Sequence, residues 1–88
     1  MKILKIGIID CADCEVMSPR FKEVEQEYPW LETKYFEASK NPEIVEKYKV
    51  LSLPSFIFLD KQGNEILRMT NIVDKDVLVK AILENKDK

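Results

Sequence analysis

The chain opens on a dense apolar run in which Ile3, Leu4, Ile6, Ile8 and Ile9 are interrupted only by Lys5 and Gly7. So little polar alternation predicts a strand over residues 3–9 that is buried on both faces. The period then changes. Met17, Phe21, Val24 and Tyr28 recur at helical spacing and form one apolar stripe from about Cys14 to Tyr28, with Glu23, Glu25 and Glu27 mostly off it. Pro19 lacks an amide proton and predicts a kink after the first turn, and Tyr28-Pro29 ends the helix.

Residues 30–37 alternate again, with Leu31, Thr33 and Tyr35 set against Glu32, Lys34 and Phe36, and predict a second strand. Asn41 and Pro42 suit the cap and first position of a short helix whose apolar side is Ile44, Val45 and Tyr48. Residues 50–54 are irregular. Ser55 to Leu59 is a strand, Asp60 to Asn64 a hairpin turn and Glu65 to Thr70 the returning strand. A last helix from about Asp74 turns Val77, Leu78, Ala81 and Ile82 inward, and the tail from Glu84 to Lys88 is expected to fray. Trp30, Tyr35, Phe56 and Phe58 are assigned to core and sheet packing, and Lys5 to a strand edge with its amine reaching solvent. The order is β-α-β-α-β-β-α, an α/β fold in one domain over residues 1–88.

Composition narrows the classes. The chain has 88 residues, 45% hydrophobic and 34% charged, with a net charge of −2 spread along its length. That balance fits a globular domain and carries no basic patch for nucleic acid. No segment approaches the roughly 20 apolar residues that span a bilayer. Residues 1–9 faintly suggest a signal peptide, but Lys5 breaks the run, Asp10 ends it and no small-residue cleavage site follows. The expectation is a cytoplasmic monomer.

The chemistry rests on Cys11-Ala12-Asp13-Cys14, which holds the only two cysteines, between the first strand and the first helix. Thiols at this spacing can close a small disulfide, and a helix start favours the thiolate of the first. In a reducing compartment such a pair is catalytic or metal-binding more often than structural. Zinc would need ligands from a second chain or from carboxylates, because the chain has no histidine. Two buried, inert cysteines would be the plainest alternative.

With this motif go Pro19 in the helix, Lys40-Asn41-Pro42 at the second helix, Val50-Leu51-Ser52-Leu53-Pro54-Ser55 before the third strand and Gly63-Asn64-Glu65 in the hairpin. Together they resemble the thioredoxin-fold family over essentially the whole chain. The resemblance implies the minimal thioredoxin fold, a four-stranded mixed sheet flanked by three helices. It implies a thiol-disulfide oxidoreductase with Cys11 as nucleophile, Cys14 as resolving thiol and a cis peptide at Pro54. Ala12, Leu53, Pro54 and Ile72 would meet an extended substrate. No cofactor or metal is implied beyond the redox-active disulfide. The implied partners are disulfide-bearing proteins and a flavin-dependent thioredoxin reductase or similar dithiol donor.

The departures are specific. Asp10, Ala12 and Asp13 stand where thioredoxins carry Trp, Gly and Pro, and Lys5 stands where they bury an aspartate under the motif. The Gly-Gly pair of glutaredoxins is missing near Thr70-Asn71-Ile72, which favours protein disulfides over glutathione as substrate. Asp10 and Asp13 oppose a thiolate at Cys11, so the expectation is a thiol titrating near neutral pH in a reductant. Lys5 beneath the motif would act the other way. The alternative is a non-catalytic interaction or metal-handling module on the same fold.

Overall fold

The computed structural model describes all residues, Met1–Lys88. Its elements are β1 (Lys2–Gly7), α1 (Ala12–Glu27), β2 (Glu32–Glu37), a 3-10 turn (Ala38–Lys40), α2 (Pro42–Lys47), β3 (Ser55–Leu59), β4 (Glu65–Thr70) and α3 (Lys75–Asn85). The strands form one sheet in the order β2-β1-β3-β4, with β1 parallel to β2 and the other neighbours antiparallel. This is the minimal thioredoxin fold that the resemblance implies, with the 3-10 turn as the one added element.

The sheet separates two apolar layers. Ile3, Phe56 and Phe58 pack with Met17, Phe21 and Val24 of α1 and with Leu78 and Ile82 of α3. On the opposite face Leu4, Ile6, Ile57 and Leu59 meet Ile44 of α2 and Tyr48 at its C-cap together with Val50 and Leu53. All five residues of β3 are buried, as befits an interior strand with helices over both faces. Phe21 stacks on Phe56 with ring centroids 4.7 Å apart.

Several expectations are corrected. β1 stops at Gly7, because its parallel partner ends at Glu37 and leaves no ladder for the next two residues. Ile9 is consequently 68% exposed. Lys5 lies on an interior strand, opposite Tyr35 on one side and Phe56 on the other, and not at a sheet edge. Trp30 precedes β2 and is exposed, resting edge-on against Tyr28 at 6.0 Å. Tyr35 is also exposed, because β2 is an edge strand with a neighbour on one side only.

In α3 the inward positions are Leu78, Ile82 and Asn85, while Val77 sits one residue off that stripe and is exposed. The end of the chain is held: Asn85 Nδ2 donates to the Ala81 carbonyl and the Lys61 amide to the Lys88 carbonyl at 2.8 Å. Asn41 does cap α2, but without a side-chain bond to the helix; its Nδ2 donates back to the Glu37 carbonyl.

Candidate active site

At the carboxyl end of β1 the chain must turn sharply to start α1. Asp10 makes the turn with φ 62°, in the left-handed region that aspartate tolerates better than most residues. Cys11 then caps α1: its Sγ accepts the Cys14 amide at 3.1 Å and its carbonyl accepts the Glu15 amide at 3.0 Å. The first sulfur therefore sits at the positive end of a 16-residue helix, where negative charge is stabilised. Cys11 and Cys14 are joined as a disulfide with Cα atoms 5.2 Å apart. Both are partly buried, Ala12 between them is exposed and Asp13 is partly covered.

The Leu53–Pro54 peptide is cis. Pro54 is buried and lines the same cleft, about 60 Å³ in volume, as Cys14, Gly7, Lys5 and Tyr35. The Pro54 carbonyl accepts the Asn71 amide at 2.9 Å, which fixes the segment leading to Ile72, itself 51% exposed. The Leu53 side chain turns into the lower core, whereas its backbone amide and carbonyl take no internal hydrogen bond. That leaves one donor and one acceptor beside the motif, as an unpaired strand edge presents them. Leu51 shows 95% of its surface to solvent and is the one large apolar side chain of this loop so displayed, a feature that the sequence pattern did not single out.

Lys5 lies under the motif among α1 side chains. Its ammonium is 2.9 Å from Glu25 Oε2 and 5.5 Å from the centre of the Phe21 ring. Thr33 Oγ1 donates to the same carboxylate. Burial pushes the Glu25 carboxyl up, but the hydrogen bonds from Thr33 and Lys5 outweigh it and hold its pKa below the ordinary glutamate value. A pKa lowered by folding means stability that is complete above the unfolded value and is lost as pH falls through the folded one. Glu25→Gln is therefore expected to cost about 1 kcal/mol near neutral pH. The difference between wild type and variant should shrink on acidification. Urea unfolding at the two pH values measures it, and an equal cost at both would contradict the pairing.

Gly7 makes room for the site. A Cβ there would lie 3.1 Å from the Tyr35 hydroxyl, closer than side chains pack without giving way, and in ordinary contact with Cys14 Sγ at 3.4 Å. Tyr35 is thus brought to the cleft although its sequence context suggested only packing. The signal was the register: in a parallel pair Tyr35 falls opposite Lys5, and the strand alternation puts it on the face of Thr33. Asp10 is exposed beside the motif.

The profile described as Thioredoxin matches residues 1–76. The chain belongs to the thioredoxin family. It is 30% identical over 76 residues to a thioredoxin of Chlamydia trachomatis, covering 86% of this chain and 74% of that one. Thioredoxin H5 of Oryza sativa is 30% identical over 86 residues, covering 98% and 63%. Among solved structures, a thioredoxin from Nicotiana alata superposes with a TM-score of 0.87 at 24% identity over 96% of this chain and 71% of that one. Fasciola hepatica thioredoxin gives 0.85 at 24% identity over 96% and 79%. The two structures speak for the fold. Family membership together with the Cys11–Cys14 pair makes thiol-disulfide oxidoreductase chemistry the general activity. No helix is long and apolar enough to cross a membrane.

Proposed function

We propose that this thioredoxin-family protein reduces disulfides in proteins by dithiol exchange, with Cys11 attacking and Cys14 resolving. The observation that carries the reading is a disulfide at the cap of α1 sharing a cleft with Pro54, beside a Leu53 backbone that has no internal partner. An extended substrate laid along Leu53 would bring its disulfide over Cys11, with Ala12 and Ile72 as the flanking contacts. Cys11 thiolate attacks one substrate sulfur, and the other leaves as a thiolate that takes a proton from water. Cys14 thiolate then attacks Cys11 Sγ, releases the second substrate thiol and closes the Cys11–Cys14 disulfide. Two electrons pass to the substrate.

Asp10 and Asp13 place negative charge near the attacking sulfur and keep it from becoming a poor, over-stabilised nucleophile. Lys5, beneath the motif, has its charge met by Glu25 at 2.9 Å. A dithiol donor returns the pair to its reduced form; a flavin-dependent thioredoxin reductase is the class this chemistry calls for. The setting is the cytoplasm and the working form a monomer.

Cys14→Ser removes the resolving thiol and should leave substrates attached to Cys11. In a cell extract, the tagged variant is expected to capture proteins that reducing agent releases. A variant that retains the same proteins after Cys11 is also replaced would be binding without exchange, and the proposal would be wrong.

A further inference from the structure

Resolution requires a thiolate at Cys14 inside the cleft, and the position beneath the motif offers no carboxylate for it. Lys5 stands there, with its ammonium committed to Glu25 at 2.9 Å. Tyr35 faces the same side of Gly7 as the Cys14 sulfur does. Its hydroxyl and Cys14 Sγ border the same spot above the Gly7 Cα, 3.1 Å and 3.4 Å from where a Cβ would be, and glycine leaves that spot open between them. Both side chains line the cleft. The hydroxyl makes no hydrogen bond within the chain and is free to turn to a new acceptor, and the parallel register sets Tyr35 opposite Lys5.

We propose that the Tyr35 hydroxyl donates a hydrogen bond to the Cys14 sulfur and steadies its thiolate while the mixed disulfide is resolved. This rests on the reading of Cys14 as the resolving thiol. Tyr35 keeps its proton throughout: burial, and after it the nearby Glu37 charge, raise the phenol pKa above its ordinary value. Cys14 gives its own proton to water. Its electron pair forms the bond to Cys11 Sγ, the bond from Cys11 to the substrate sulfur breaks, and that sulfur departs with the electrons and is protonated by solvent. The charged groups around the step are Lys5 from β1, Glu25 and Asp13 from α1 and Glu37 from β2. Pro54 and Phe56, which close the cleft from the other side, bring none.

The test mixes reduced protein with dithionitrobenzoate and follows the two coloured thiolates released. The first release reports attack by Cys11 and depends on reagent concentration. The second reports displacement by Cys14 and does not. Tyr35→Phe keeps the ring and removes only the donor. It is expected to slow the second release about tenfold near neutral pH, the scale of a hydrogen bond to a charged group, and to move its pH midpoint upward. The first release should be unchanged. An unaltered second release would overturn the proposal, as would equal slowing of both, which would mean a displaced motif. A wild-type protein that releases only the first equivalent would remove the resolving role of Cys14, and Tyr35's part with it.

Discussion

Replacing Cys11 by serine is expected to abolish disulfide reduction, lowering turnover by about a thousandfold or more. The reasoning is local. Serine is a good helix cap and can accept the Cys14 amide as the cysteine sulfur does, so α1 should form unchanged. What disappears is the thiolate, since a hydroxyl at neutral pH has almost no ionised form to attack a disulfide. Reduction of a protein disulfide such as that of insulin, with the protein recycled by a dithiol, measures the loss. Far-ultraviolet circular dichroism should be unchanged in the same variant. Substantial residual turnover would mean that another group attacks, and Cys11 would lose its assigned role.

The second large effect is on stability. Phe21 is 1% exposed, stacks on Phe56 at 4.7 Å and carries the Lys5 ammonium over its ring. It joins α1 to the sheet directly below the motif. Phe21→Ala should cost about 3–5 kcal/mol, the lost transfer energy of the ring plus the cavity left behind. Against a total stability of about 5–15 kcal/mol this brings the domain close to unfolding at growth temperature. Denaturant unfolding of both proteins in the same redox state gives the difference. A loss below about 1 kcal/mol would mean that the layer between α1 and β3 repacks freely, contrary to the close packing of protein interiors.

Features set by neighbours along the chain are legible in the amino-acid sequence. The strand Ser55–Leu59, the Asp60–Asn64 turn and the strand Glu65–Thr70 follow from local patterning, with Asp60 Oδ1 accepting the Gln62 and Asn64 amides and Gly63 at φ 85°. The cysteine pair is equally local, because a strand end, a cap and one helical turn are all it needs. Features set by strand order are not legible there. Ile8 and Ile9 look like strand residues, but β1 ends where its partner does. Lys5 reads as a snorkelling edge residue until β1 is found between β2 and β3. Val77 and Leu78 are equivalent in composition, and the docking of α3 on α1 chooses between them. That docking depends on contacts far apart in the chain: the Val73 amide donates to Met17 Sδ at 3.3 Å, Arg20 to the Val73 carbonyl at 2.7 Å, and Lys75 pairs with Glu23 and Glu27. The place of Tyr35 in the cleft that Cys14 lines is of the same kind, requiring the parallel register and the missing side chain of Gly7 together.

The reduction potential of the Cys11–Cys14 pair tests the account most directly. The protein is equilibrated across a dithiol redox buffer, free thiols are alkylated and the oxidised fraction is read by mass spectrometry. A reductant of protein disulfides should titrate near about −270 mV. A value near about −120 mV would describe an oxidant and contradict the part given to Asp10 and Asp13. Failure of the pair to close a disulfide in any buffer would contradict the exchange chemistry itself.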